Sequence, residues 1–183
     1  MPRLFFLLFF SLFFVACATK QEETASPVQN SERERPSLKS GWYNVAFLIM
    51  DGVYNTEFTA PYDIFQHTQY RKHIRAMNTF TVAKTLEPIV SFEGLRILPD
   101  YDYTRDSIPR IDILVVPSAE HHLDSDLKDT VMLNFVKKVD KEALFVTSHC
   151  DGAFVLAKAG LLNKVHSTTF PSEIGRASWR ERV

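Results

Sequence analysis

Apolar residues along this chain gather into short unbroken runs, separated by stretches with helical periodicity. Residues 43–50 (YNVAFLIM) form such a run, bounded by Gly41 and by Asp51-Gly52, and predict a strand buried on both faces. A helix follows over 59–69, with Pro61 in its first turn, where a missing N–H is tolerated, and with Tyr62 and Phe65 on one face. Residues 79–84 predict a second strand. Residues 88–92 and 95–98 predict a hairpin that turns at Glu93-Gly94. Residues 111–117 (IDILVVP) are another buried strand. Over 127–139, Leu127, Val131, Phe135 and Val139 recur every four residues against a Lys/Asp face, which predicts an amphipathic helix. A strand over 143–147, a helix over 151–162 and the start of a further strand over 165–170 complete the pattern.

Strands alternating with helices imply a mainly parallel sheet covered on both faces. Ligands in such sheets bind beyond the carboxyl ends of the strands. That rule singles out the loops 51–57, 118–122 and 148–152.

The two ends of the chain read differently. Arg3 precedes an apolar run over 4–15, too short for a spanning helix of about 20 residues and suited to a signal peptide. Phe14-Val15-Ala16-Cys17 is similar to a bacterial lipobox, which would make Cys17 a lipidation site, so 1–17 is read as leader and lipobox of an exported, membrane-anchored lipoprotein. Ordinary cleavage at Ala16-Cys17-Ala18, giving a soluble periplasmic or secreted protein, stays open. Residues 18–41 are polar, carry Pro27 and Pro36, and predict a flexible linker. The domain spans 42–172. Residues 173–183 lack periodicity and resemble the translation of a sequencing-adapter oligonucleotide, so they read as a non-native tail. The domain is then C-terminally incomplete, with part of its sheet uncovered.

The 183 residues suit one domain, and the 45% apolar content supplies its core. A net charge of -1 speaks against nucleic acid as a partner. Two cysteines exclude a disulfide scaffold, and with Cys17 lipidated Cys150 is the one free thiol in an oxidising compartment.

Ser148-His149-Cys150-Asp151-Gly152-Ala153 carries the strongest chemical signal: a buried strand ends, one residue turns, and a helix begins. This is the layout of a nucleophile elbow, and Ser148 and Gly152 supply the small neighbours it needs. A thiol at a helix N-terminus is expected to ionise below its free value of about 8.5. The Asp151 N–H is placed to help hold an oxyanion. Glu57, expected at the mouth of the first strand just before a helix, can meet a thiol delivered by another strand end and act as general acid or base. The bland alternatives are a buried Cys and an ordinary helix-terminal acid. His121-His122 follow a buried strand at the predicted pocket rim. Adjacent histidines diverge, so they read as solvated loop residues rather than metal ligands. Tyr54, Phe58 and Phe154 either line a pocket or fill the core.

Cys150-Asp151-Gly152-Ala153-Phe154, then Ala157, Ala159-Gly160-Leu161-Leu162 and Thr168-Thr169, resemble the DJ-1/PfpI (ThiJ/PfpI) family of the class I glutamine amidotransferase-like superfamily. The stretches 52–65 and 111–118 fit the same family. The resemblance implies a flavodoxin-like three-layer sandwich, Cys150 as nucleophile, Glu57 as its carboxylic partner, and Ser118 or Ala119 as oxyanion contributor. Many members carry His directly after the cysteine, where this chain has Asp151; others carry it after the Thr-Thr pair, where it has Phe170. His149 precedes the cysteine, and strand alternation points it away. Protease activity is therefore not expected. The reading is a cysteine-dependent hydratase, hydrolase or glyoxalase-like enzyme for a small-molecule electrophile, without metal or cofactor. Cys150, Glu57 and Asp151 would form its reactive centre and Ser118, Ala119, Gly152 and His121 its pocket. The alternative is a non-catalytic thiol redox sensor or ligand-binding module. Many relatives are dimers, so a homodimer is within the expectation.

Overall fold

The computed structural model describes residues 34–173. The expected leader and lipobox with Cys17, residues 18–33 and residues 174–183 lie outside the described residues. In chain order the elements are β1 (Tyr43–Leu48), α1 (Asn55–Gln66), β2 (Met77–Ala83), β3 (Ile89–Val90), β4 (Arg96–Ile97), β5 (Tyr101–Asp102), β6 (Ile113–Val116), α2 (Thr130–Asp140), β7 (Phe145–Ser148) and α3 (Gly152–Lys158). Five strands form one sheet in the order β5-β2-β1-β6-β7, and every pair in it is parallel.

The apolar run at 43–50 is unbroken because β1 is buried from both sides. Val45, Phe47 and Ile49 pack with Phe58, Tyr62 and Phe65 of α1. Ala46 and Leu48 point the other way, into a cluster with Met132, Val136, Val155 and Leu156 of α2 and α3. The result is a flavodoxin-like α/β sandwich of three layers. Each buried aliphatic side chain contributes roughly 1.5–3 kcal/mol against the conformational entropy of the chain. After β1 the chain moves outward to β2 and β5, then returns to lay β6 on the opposite flank of β1. The loops after β1 and β6 therefore face each other across the crevice where strand order reverses, the place where such sheets bind ligands.

Several elements differ from their sequence expectation. Helix α1 starts at Asn55, not 59, so Pro61 lies inside it and Glu57 sits in its first turn rather than before it. Pro61 removes the N–H that would reach the Glu57 carbonyl, and the helix continues past that single lost bond. Helix α2 starts later than expected, because the Asp129 carboxylate accepts from the N–H groups of Val131 and Met132 and fixes the N-terminus there. Its buried face is Met132, Leu133, Phe135, Val136 and Val139, while Val131 is 45% exposed. The hairpin forms as Ile89–Val90 against Arg96–Ile97, turning through the bond from the Gly94 N–H to Ser91 O.

No strand forms over 165–170, a correction to the pattern reading. Thr169 is instead buried, and its hydroxyl binds the elbow rather than a strand neighbour. Among the described residues β7 thus pairs with β6 alone, and Phe145 is 62% exposed. Residues 35–41 lack regular structure but hold to the domain: the Arg35 guanidinium pairs with Asp106 at 2.8 Å, and the Lys39 N–H donates to Asn78 Oδ1. Among the described residues no helix is long and apolar enough to cross a membrane.

Candidate active site

Three loop segments meet at the carboxyl ends of β1, β6 and β7. The first two are stitched by an antiparallel bridge between Val53 and Ala119, in which the Tyr54 N–H donates to Ser118 O and the Glu120 N–H to Gly52 O. Gly52 has φ +77°, and a Cβ on it would come within 2.9 Å of the Glu120 Cβ, so the approach needs glycine. The hairpin joins the same knot: the Gly52 N–H donates to Val90 O, the Phe92 N–H to Val53 O, and the Asn55 N–H to Glu93 Oε2.

The third segment carries Cys150. Its φ is +45°, a left-handed conformation unusual for a residue with a side chain, as the elbow geometry demands. The His149 N–H donates to Val116 O, and α3 starts at Gly152. A Cβ at Gly152 would lie 2.2 Å from Val116 O and 3.1 Å from Pro117 O. Only glycine lets the helix start press onto β6, and that contact brings Cys150 beside Ser118. Thr169 closes the turn from below, its hydroxyl directed at Cys150 O (2.9 Å) and Asp151 Oδ1 (3.2 Å). The role of Thr169 is not legible in the sequence, because it depends on a contact across 19 positions.

Glu57 is fixed by the loop facing it. Its Oε2 accepts from the Ser118 N–H at 2.9 Å. This corrects one expectation, since that N–H is already committed to Glu57 and is not a donor for an oxyanion. Ala119 and Asp151 donate to no backbone carbonyl, and the Asp151 N–H points to the thiol. Ser118 Oγ is fully buried, close enough to the sulfur to lower the thiol's pKa, yet makes no hydrogen bond of acceptable geometry.

Cys150 is partly buried, and its pKa lies above the usual thiol value, the reverse of the sequence expectation. Burial is the main cause, and the negative charges of Glu57 and Asp151 add to it. The Asp151 N–H and Ser118 hydroxyl pull the other way without prevailing. Tyr54 also has its pKa raised, by burial first and then by Glu120, Asp151, Cys150 and Glu57. Its ring packs against Phe92, centroids 4.7 Å apart.

The two histidines separate. His121 is exposed, 3.8 Å from Glu120 Oε2. His122 is fully buried, which corrects its reading as a solvated loop residue: Nε2 donates to Pro117 O at 2.9 Å, and Nδ1 lies 2.8 Å from Asp126 Oδ2. It braces the start of the Ser118 loop from behind. His149 is exposed, and Phe58 belongs to the core against Phe47.

Residues 43–181 match the model of the DJ-1/PfpI family. An isonitrile hydratase of Pseudomonas putida is 29% identical over 125 residues, which cover 68% of this chain and 51% of that protein. The chain thus spans about half the length of this curated relative. Among solved structures, a ThiJ/PfpI family protein from Pseudomonas syringae superposes with a TM-score of 0.57 at 24% identity, covering 72% of this chain and 55% of the other. Drosophila melanogaster DJ-1beta gives 0.60 at 16% identity, covering 74% and 70%.

Proposed function

Since this chain belongs to the DJ-1/PfpI family, we propose that Cys150 is the nucleophile of an enzyme that hydrates or hydrolyses a small electrophile, an isonitrile being the first substrate to test. One observation carries the reading: a cysteine in a left-handed elbow, with the Glu57 carboxylate held one loop away by the Ser118 N–H. The name of the Pseudomonas putida relative favours isonitriles over the aldehydes and amides that the same geometry accommodates.

The raised thiol pKa fits this chemistry. Adding a thiol across the terminal carbon of an isonitrile forms one S–C bond and one C–H bond, so sulfur and its proton are both used. Glu57 takes the proton from sulfur and passes it to carbon as the thioimidate forms. Water then adds to the same carbon and nitrogen gains a proton. The S–C bond breaks, and an N-substituted formamide leaves as Cys150 recovers its proton. The Asp151 N–H serves the sulfur, which leaves the Ala119 N–H as the donor for charge that develops outside it.

The test is turnover of a small alkyl isonitrile to its formamide, followed by infrared loss of the isonitrile band. Wild type is expected to turn over, Cys150→Ser to fall to background, and Glu57→Gln to lose about 10²–10⁴-fold in kcat. Equal activity in wild type and Cys150→Ser would end the proposal.

A further inference from the structure

The pocket's charge selects its substrate more narrowly than the fold does. Each of the three loops that meet at the site brings a carboxylate: Glu57 from the first, Glu120 from the second and Asp151 from the third. Their partners are a backbone N–H, a histidine 3.8 Å away and a threonine hydroxyl. Among the described residues no lysine or arginine pairs with any of them. All three carboxylates, and Cys150 with them, act on Tyr54, and the fully buried Ser118 hydroxyl lies beside the sulfur. The rim next to it is aromatic, Tyr54 on Phe92.

Resting on the reading of Cys150 as nucleophile, we infer that the site takes a small electrophile without negative charge, and that Glu120 at the rim turns carboxylate-bearing electrophiles away. Uncharged isonitriles, nitriles, aldehydes and amides fit, as do cationic ones; α-keto acids and other anions do not. Tyr54, which all three carboxylates push toward its protonated form, adds a neutral donor at the entrance and no compensating positive charge.

Two alkylating agents of nearly equal size isolate this charge effect. Iodoacetamide is neutral and iodoacetate anionic, and both react through the same thiolate, so the ratio of their rates cancels the thiol's own pKa. The rates would be read on the full chain by mass spectrometry of the peptide containing Cys150, against a small neutral cysteine derivative as reference. The iodoacetamide preference at Cys150 is expected to exceed the reference by at least about fivefold at low salt, as two like charges several ångströms apart near a protein surface require. It should shrink in high salt and in Glu120→Gln, and fall further in Glu120→Lys; unchanged thermal melting shows that either variant is folded. A wild-type ratio equal to the reference overturns the inference, as does a site that neither reagent reaches. A raised ratio that neither Glu120 variant moves removes Glu120 from it. A protein that shows the selectivity but converts no isonitrile contradicts the preceding reaction and leaves the charge filter standing.

Discussion

At the scale of single residues, the strain at Cys150 is a stability statement as well as a catalytic one. Holding an L-residue in the left-handed region costs roughly 1–2 kcal/mol, which the packing of β7, β6 and α3 must offset. Cys150→Gly and Cys150→Ala both remove the sulfur, but only glycine relieves the strain. Urea denaturation should place Cys150→Gly above Cys150→Ala by about 1 kcal/mol, a gap its greater unfolded-state entropy narrows without reversing. If alanine proved the more stable, the turn would not be strained in the way described. Cys150 and Gly152 were legible in the sequence, because a strand, a small-residue turn and a helix follow one another without a gap. The thiol's electrostatics were not. They depend on Glu57, which is placed by a bond to Ser118 spanning 61 positions, and local helix-dipole reasoning predicted the wrong sign. His122 was misread for a similar reason: its burial depends on Pro117 and Asp126 folding around it, and a polar residue in a polar stretch gives no sign of that.

Elements show where local rules suffice and where tertiary contacts override them. The runs at β1 and β6 were legible because burial on both faces leaves them mostly apolar, although β2 buries Asn78, Thr79 and Thr81. Helix starts were not, since they are fixed by caps and by loop pairing. Asp129 is the clearest case. Its carboxylate accepts from Val131 and Met132 and binds Lys84 Nζ at 2.7 Å. Burial raises its pKa, but the bond to Lys84 and the two N–H groups outweigh that, and the net shift is downward. A carboxylate with a lowered folded pKa contributes stability above its unfolded value of about 3.9, and this is lost as pH falls through the folded value. Asp129→Ala should cost about 1–2 kcal/mol at neutral pH. The difference from wild type, read from denaturation midpoints, should be unchanged between pH 8 and 5 and should close only below about pH 4. A gap that closed near neutrality would assign the effect to another group.

For the whole molecule, the parallel order β5-β2-β1-β6-β7 is what brings Glu57, Ser118 and Cys150 to one end of one sheet, though they come from three separate strand ends. The strand–helix alternation made that architecture readable. We propose that residues 1–17 direct the chain to its location. If Cys17 is lipidated as its surroundings suggest, cells expressing the chain should incorporate labelled palmitate, and the label should vanish in Cys17→Ala while the domain remains folded. Incorporation that survives the substitution would place the lipid elsewhere.

The bridge between Val53 and Ala119 has a thermodynamic consequence. Because Ser118 holds α1's leading residue through its carbonyl and Glu57 through its amide, neither loop can swing without breaking both grips. The loops around the sulfur are therefore already in their working arrangement before anything binds. A visiting molecule gives up its own freedom but freezes little of the host's, so its affinity reflects how well it fits rather than how much polypeptide it must first set in order.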